Sequence, residues 1–293
     1  MPKFLLESTK SQIIPLYQKE GTFKKVASIL NISASYVQKY ITKNKVDKNP
    51  YAKRLYHFDD NYFSSINDEN KAYWLGWIAA DGCLYENKSD NSFITRISII
   101  SSDIEILNNL KFDINYQGKI SILKSRFNLK HKRNNNSLCT ISLCSHKLFS
   151  DLVKLGCTPK KSLTLKFPTT EQVPDHLLRH FIRGYFDGDG CVTQCNGYKN
   201  KKGIINLRPI ISFCGTKEFL TSLREWLDKN GIKVQSALTK RRQNDTNSYS
   251  LIFKGYNRCN IFYNLIYSNS KRSLKRKQEK LEKLLNKNAD VFI

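Results

Sequence analysis

The chain is poor in acid: 25 aspartates and glutamates stand against 49 lysines and arginines, a formal charge of +24 with a pI near 9.7. That imbalance disfavours a basic partner surface and points to nucleic acid or an anionic membrane. No apolar run approaches the roughly 18 residues of a spanning helix, and Met1 to Leu6 has no signal-peptide layout. The eight cysteines (83, 139, 144, 157, 191, 195, 214 and 259) form no Cys-x-x-Cys pair, and the five histidines are scattered, so a zinc site is not expected. Reduced, partly buried thiols are the simpler reading. A soluble intracellular protein facing nucleic acid is the expectation, in a prokaryotic cytoplasm, a phage-infected cell or an organelle matrix. Apolar residues make up 40% of the 293, enough for a core and for two or three modules.

One stretch is present twice. Leu75-Gly76-Trp77-Ile78-Ala79-Ala80-Asp81-Gly82, preceded by Trp74, is matched by Arg183-Gly184-Tyr185-Phe186-Asp187-Gly188-Asp189-Gly190, preceded by Ile182. Gly76, Ala80, Asp81 and Gly82 pair with Gly184, Gly188, Asp189 and Gly190 at a constant offset of 108, and Tyr73 and Trp77 pair with Phe181 and Tyr185. Each copy reads as an apolar helix closed by Gly. Small residues recur at helical spacing: Ala72, Gly76 and Ala80 in one copy, Gly184 and Gly188 in the other. A helical Gly costs roughly 1 kcal/mol against Ala, so its repetition implies close approach of another backbone. If the partner is the other copy, Asp81 and Asp189 become neighbours. Carboxylates about 5 Å apart repel by roughly 3 kcal/mol at an effective dielectric near 20. A divalent ion removes that penalty, and hard oxygen ligands suit Mg²⁺.

Around these helices the sequence predicts strands near 83–88, 93–101, 116–125 and 137–144, with helices at 103–112 and 146–155. The order recurs as a motif helix near 175–187, strands near 191–197, 204–214, 233–242 and 247–254, and helices at 217–230 and 257–267. A duplicated mixed α/β unit implies two pseudo-symmetric sheets. Apolar residues on both strand parities (Ile97 to Ile100, Ile210 to Phe213) leave open which face of each sheet is outward. The Lys-rich tail from Lys271 reads as a helix with one apolar side, packed on the second repeat.

Residues 10–45 form a separate pattern. Ile13, Ile14, Leu16 and Tyr17 predict a helix despite Pro15, Phe23–Leu30 a second, and Ala34–Thr42 a third behind a candidate N-cap, Ser33. This resembles a helix-turn-helix that would offer Ser35, Tyr36, Gln38, Lys39 and Lys43 to a DNA groove. The polar, basic stretch that follows, with Pro50, reads as a tether raising the effective concentration of a second contact. The expected organisation is a module at 1–45, a linker at 46–60, and repeats at 61–168 and 169–293.

The paired motifs resemble those of the LAGLIDADG homing endonucleases, in the single-chain, two-motif arrangement, over roughly residues 60–285. The resemblance implies an α+β fold of two αββαββα repeats, each sheet lying in a DNA major groove, beside a small all-α module. It implies a monomer that cuts both strands of a long target site with two or more Mg²⁺ ions, one aspartate serving each strand, to leave a staggered break. Asp81 and Asp189 would be the metal ligands, helped by the backbone carbonyls of Ala80 and Gly188. Ala79 stands where the family often carries an earlier, non-ligating Asp. Lys161 and Lys277, at an offset of 116 rather than 108, stand where the family places a lysine near the scissile phosphate. The candidate DNA contacts are Lys88, Arg96, Lys119, Lys124, Arg126, Arg208, Lys240, Arg241 and Arg242, with turn residues Lys130, His131, Lys132, Arg133, Lys199, Lys201 and Lys202. An intron RNA maturase and a non-cleaving DNA-binding regulator are alternatives on the same fold. An intein is not expected, because the chain starts Met1-Pro2-Lys3, ends Asp290-Val291-Phe292-Ile293, and lacks the terminal groups of protein splicing.

Overall fold

In the computed structural model the described residues are 6–20, 22–44, 46, 56–87, 92–123, 137–199, 205–241 and 246–289. The expected contacts Lys88, Lys124, Arg126 and Arg242, and the turn residues Lys130, His131, Lys132, Arg133, Lys201 and Lys202, lie outside them. The chain divides into two compact units, Met1–His57 and Phe58–Ile293.

The first unit is three short helices, α1 (Glu7–Glu20), α2 (Phe23–Leu30) and α3 (Ala34–Lys43). Their apolar positions converge on a core of Ile13, Tyr17, Val26, Ala27, Val37 and Ile41. Helix α1 runs through Pro15 without a break. The α2–α3 turn is set by Asn31 in the left-handed region and by the Ser33 hydroxyl, which accepts the Tyr36 amide at 3.2 Å.

The second unit holds the αββαββα order twice. The first pass is α4 (Glu69–Asp81), β1 (Cys83–Asn87), β2 (Ser92–Ile100), α5 (Ile104–Asp113), β3 (Ser121–Leu123), β4 (Leu138–Cys144) and α6 (His146–Lys154). The second is α7 (Asp175–Asp189), β5 (Cys191–Lys199), β6 (Ile205–Gly215), α8 (Lys217–Lys229), β7 (Thr239–Lys240), β8 (Tyr249–Lys254) and α9 (Tyr256–Tyr267), followed by α10 (Lys275–Ala289). Each pass builds a four-stranded antiparallel sheet, ordered β1-β2-β4-β3 and β5-β6-β8-β7.

Helices α4 and α7 pack along their whole lengths, for the reason their glycines announce. A methyl group at Gly76 would drive into the Phe181 carbonyl and lie 2.9 Å from the Tyr185 nitrogen; one at Gly184 would drive into the Tyr73 carbonyl and lie 2.9 Å from the Trp77 nitrogen. The two clashes are mirror copies under the 108-residue offset, so the helices are related by a pseudo-two-fold axis. Around them Trp74, Trp77, Tyr73, Tyr185 and Phe186 are fully buried.

The closing glycines differ from expectation. Gly82 and Gly190 have φ of −69° and −73°, extended rather than left-handed. Space selects them: a Cβ would lie 2.6 Å from the Ile78 carbonyl oxygen or 2.5 Å from that of Phe186. Two strands also begin later than predicted, β3 at Ser121 and β7 at Thr239. Before β3 the chain turns through Asn115 (φ 52°) to bury Tyr116. Before β7, side chains take up backbone partners: the Val234 amide donates to Asp228 at 3.0 Å, and the Ser236 hydroxyl donates to the Ile252 carbonyl at 2.5 Å.

Burial resolves the strand faces. In β2, Thr95 and Ile97 are inward and Arg96 outward; in β6, Ile211 and Phe213 are inward and Arg208 outward; in β8, Leu251 and Phe253 are inward and Ile252 and Lys254 outward. The tail helix α10 buries Leu281, Leu284 and Leu285 and packs on α9, β5 and β6. No helix among the described residues is long and apolar enough to cross a membrane.

Candidate active site

Because α4 and α7 end together, the last residues of both open onto one floor. Gly188 lets that happen: a Cβ there would lie 2.5 Å from the Ala80 Cβ and 3.4 Å from Asp81 Oδ2. Asp81 and Asp189 line a cleft of about 450 Å³ together with Lys161, Tyr185, Cys214, Arg241 and Ser248. A second cleft of about 280 Å³ lies on the other side of Asp81, lined by Trp77, Ser98, Leu138, Gly188, Arg276 and Lys277. The clefts are pseudo-symmetric. Tyr185 and Trp77 are motif partners, and sheet register makes Cys214 the counterpart of Ser98, and Ser248 that of Leu138. Each cleft therefore joins one repeat's sheet to the other repeat's lysine.

The carboxylates are electrostatically uncomfortable. The crowded cleft floor and the neighbouring Asp189 lift Asp81 to about 6 against the pull of Lys277 and Lys161. Desolvation also lifts Asp189, opposed by Lys161, Lys277 and Arg241. Both side chains still open to solvent, so the pair is accessible to a cation. Two neighbouring carboxylates, both held above their ordinary proton affinity, suit a divalent ion that completes its shell with water and phosphate oxygens. Among the described residues no cluster of three or more His, Cys, Asp or Glu side chains offers a fuller protein cage.

The two lysines meet the site in the same way despite their looser offset. Lys161 Nζ donates to the carbonyls of Ala80 (3.1 Å) and Gly82 (2.7 Å) at the end of α4. Lys277 Nζ donates to Phe186 (2.7 Å), Asp187 (2.8 Å) and Gly190 (2.6 Å) at the end of α7, with Gly188 at 3.4 Å. Each ammonium thus caps the negative pole of its own repeat's motif helix. The carbonyls of Ala80 and Gly188, expected as metal ligands, face these lysines. Burial lowers the affinity of both lysines for their protons.

One side of the site is polar inside and the other is not. Asp187 is fully buried and accepts from the Tyr267 hydroxyl (2.6 Å), the Tyr73 hydroxyl (3.0 Å) and the Leu274 amide (2.7 Å). Its motif partner is Ala79, and the partner of Tyr73 is Phe181. On the pseudo-symmetric side, where Ala79 lacks the carboxylate, the facing Phe181 lacks the hydroxyl. That paired exchange was visible in the sequence, although the hydrogen bond was not.

Sequence reasoning named Lys277 but missed the ion pairs that hold its segment. Arg272 forks onto Asp113 (2.6 and 2.8 Å), Arg276 onto Asp103 (2.8 and 3.1 Å), and Lys275 reaches Glu105 at 2.6 Å, so a strap made of the residues before α10 and its first turn grips the first repeat. Asp113 also accepts from Trp74 Nε1 at 2.7 Å.

The predicted DNA contacts scatter. Arg96 and Arg208 lie on the outward sheet faces, Lys119 and Lys240 are exposed near the edge strands, and Arg241 lines the larger cleft beside Asp189. The Arg96 guanidinium donates to the Tyr85 hydroxyl at 2.6 Å and lies over its ring. In the N-terminal unit Ser35 and Lys39 are exposed on α3 with Gln38, Thr42 and Lys43, whereas Tyr36 is half-buried and stacks on Tyr40.

Residues 176–283, within the second repeat, match the LAGLIDADG-like domain model. A curated relative, the probable translation initiation factor IF-2 of Methanocaldococcus jannaschii, is 27% identical over 221 residues, covering 73% of this chain; the chain spans only 16% of that protein. Solved structures similar to this one include the meganuclease I-SmaMI bound to uncleaveable DNA (12% identity, TM-score 0.47, 73% of this chain and 89% of that one). Another is the LAGLIDADG meganuclease I-AabMI bound to uncleaved DNA (10%, 0.49, 77% and 91%). A third is the LAGLIDADG homing endonuclease I-GzeII in complex with its DNA target (12%, 0.47, 78% and 92%).

Proposed function

We infer that this chain, in which residues 176–283 match a LAGLIDADG-like domain model and the elements from α4 to α6 run in the same order as those from α7 to α9, is a site-specific endonuclease that cuts both strands of duplex DNA with a divalent metal. The observation that carries the reading is the reciprocal packing of α4 and α7, which brings Asp81 and Asp189 to the floor of the larger cleft, with Asp81 also facing a second cleft of related construction. Two equivalent clefts on a pseudo-two-fold axis match the two antiparallel strands of a duplex, each cleft serving one strand to give a staggered cut. Both motifs lie in one chain, so a monomer suffices.

Asp81 and Asp189 would hold the ions, of which Mg²⁺ is the natural choice. When bound, the metal supplies an activated water and charge stabilisation for the leaving oxygen. The chain's own residues do the rest. The outward faces carrying Arg96, Arg208 and Lys240 supply phosphate contacts, in which Arg can also fork onto guanine. Lys161 and Lys277 hold the helix ends in place and keep positive potential at the clefts, favouring the ionised carboxylates. In the N-terminal unit we read α2 and α3 as a helix-turn-helix whose exposed Ser35, Gln38, Lys39, Thr42 and Lys43 face DNA. Tyr36 instead packs against its core. That unit and the intact aspartate pair favour DNA cleavage, and hence intron homing, over RNA splicing or silent regulation.

The test is cleavage of a plasmid library with Mg²⁺, with Ca²⁺ as the binding control, for wild type and Asp189→Asn. Discrete cuts at one long site, lost in the variant while binding persists, are expected. Tight salt-sensitive binding without any cut would replace the endonuclease with a regulator or, if intron RNA binds better than DNA, a maturase.

A further inference from the structure

Each lysine is delivered by a segment that the opposite repeat holds, and the two holds differ in kind. The Lys161 segment is tied by neutral hydrogen bonds from the second repeat. The Thr216 hydroxyl donates to the Leu165 carbonyl at 2.5 Å, and Asn247 Nδ2 donates to the Leu163 carbonyl at 3.0 Å. The Lys277 segment is tied by ion pairs to the first repeat, Arg272 on Asp113 and Arg276 on Asp103. The anchors are topological equivalents: Thr216 stands at the N-cap of α8 and Asp103 at that of α5. Of the two pairs, Arg272–Asp113 is the more sheltered, with side chains 19% and 5% exposed against 57% for Arg276. It is therefore the less screened by water and salt. The Arg272 carbonyl also accepts from buried Arg183 Nε at 2.7 Å, and two residues on the Leu274 amide is fixed by Asp187. Lys277 follows within the same turn, its amide bonded to the Leu274 carbonyl at 2.9 Å.

We propose that Arg272 is a positioning residue that places Lys277 at its cleft through the fork onto Asp113, so that its loss disables the cut of one DNA strand and spares the other. The proposal rests on the endonuclease reading. Lys277 lines the smaller cleft and Lys161 the larger, so a slack strap moves one ammonium only. A misplacement of about 1 Å at a reacting centre costs up to roughly a hundredfold in rate.

The experiment compares wild type, Arg272→Ala, Arg272→Lys and Asn247→Ala on a supercoiled plasmid carrying the selected site, with each strand end-labelled. Wild type is expected to pass to linear product. Arg272→Ala is expected to accumulate nicked circles with one defined strand intact and its cut slowed about tenfold or more. Arg272→Lys, which keeps the charge without the fork, falls between. Asn247→Ala leaves its excess nicks on the opposite strand. Equal slowing of both strands in Arg272→Ala would mark a merely structural role and overturn the proposal. A second measurement needs no cleavage: lysine acetylation of the full-length protein, read by mass spectrometry. Arg272→Ala should expose Lys277 severalfold while Lys161 stays protected; uniform exposure, or none, overturns the proposal. Wild type that binds but never cuts would sink the endonuclease reading, and the acetylation pattern would still decide the positioning.

Discussion

Asp81 sets the local cost of the site. Its carboxyl titrates near 6, above the ordinary value of about 4. Between those values the folded protein holds a proton that the unfolded chain has released, so this group's contribution to stability falls as pH rises through that window. Without divalent ions, Asp81→Asn should therefore melt higher than wild type at pH 7, by a margin that shrinks at pH 5, and should cut no DNA. Scanning calorimetry at the two pH values checks this, and an unchanged margin would mean Asp81 is unstrained. Metal-supported cleavage by wild type should decline as pH falls through about 6. The Tyr73–Asp187 bond gives a second residue-scale prediction. Asp187→Ala strands two hydroxyls and an amide, and Tyr73→Phe removes one donor from a buried carboxylate, each costing about 1–3 kcal/mol. The double variant reproduces the combination already present on the pseudo-symmetric side of the helix pair, Ala79 with Phe181. Its loss should be clearly smaller than the two single losses combined in urea unfolding, and strict additivity would deny the coupling.

At the scale of elements, the α4–α7 pair is the framework of the site and its glycines have no slack. Gly76→Ala pushes a methyl into backbone rather than into a side chain that can turn away. The expected cost is about 3 kcal/mol or more, read as a lowered urea midpoint with cleavage lost in parallel. Gly231→Ala gives a contrast, because nothing lies within 4 Å of its added methyl and only its left-handed φ of 81° is strained. Its loss should be smaller, with cleavage retained. These helices were legible in the sequence because small residues at helical spacing are a local pattern and a fixed offset doubles it. Asp81 and Asp189 were legible for the same reason, whereas Lys161 and Lys277, at an offset of 116, were named only through the family resemblance. The strap was not: Lys271 to Lys277 reads like any lysine-rich tail, and its partners Asp113 and Asp103 lie 159 and 173 residues away. Strand facing was hidden because the outward sides of β6 and β8 keep Ile210 and Ile252 among their polar residues, blurring the alternation that normally marks the two faces.

For the whole molecule, charge and modularity dominate. A chain of +24 that neutralises many phosphates should lose affinity steeply with salt, and the log–log slope counts its phosphate contacts. The unit Met1–His57 has its own core, so a protein lacking it should still fold. Such a protein should cut the same site while binding it about tenfold or more weakly, because a tethered second contact is lost. Equal affinity by titration would leave the N-terminal unit without a role on DNA. The crossed anchoring of the two lysine segments also bears on dissection. A chain divided between residues 169 and 174 would yield two fragments, each owning one aspartate and one lysine but lacking the opposite repeat's anchors for its lysine segment. Either fragment alone would be inert, and activity would return only where both are present: a two-key lock, with the keyholes cut in each other's doors.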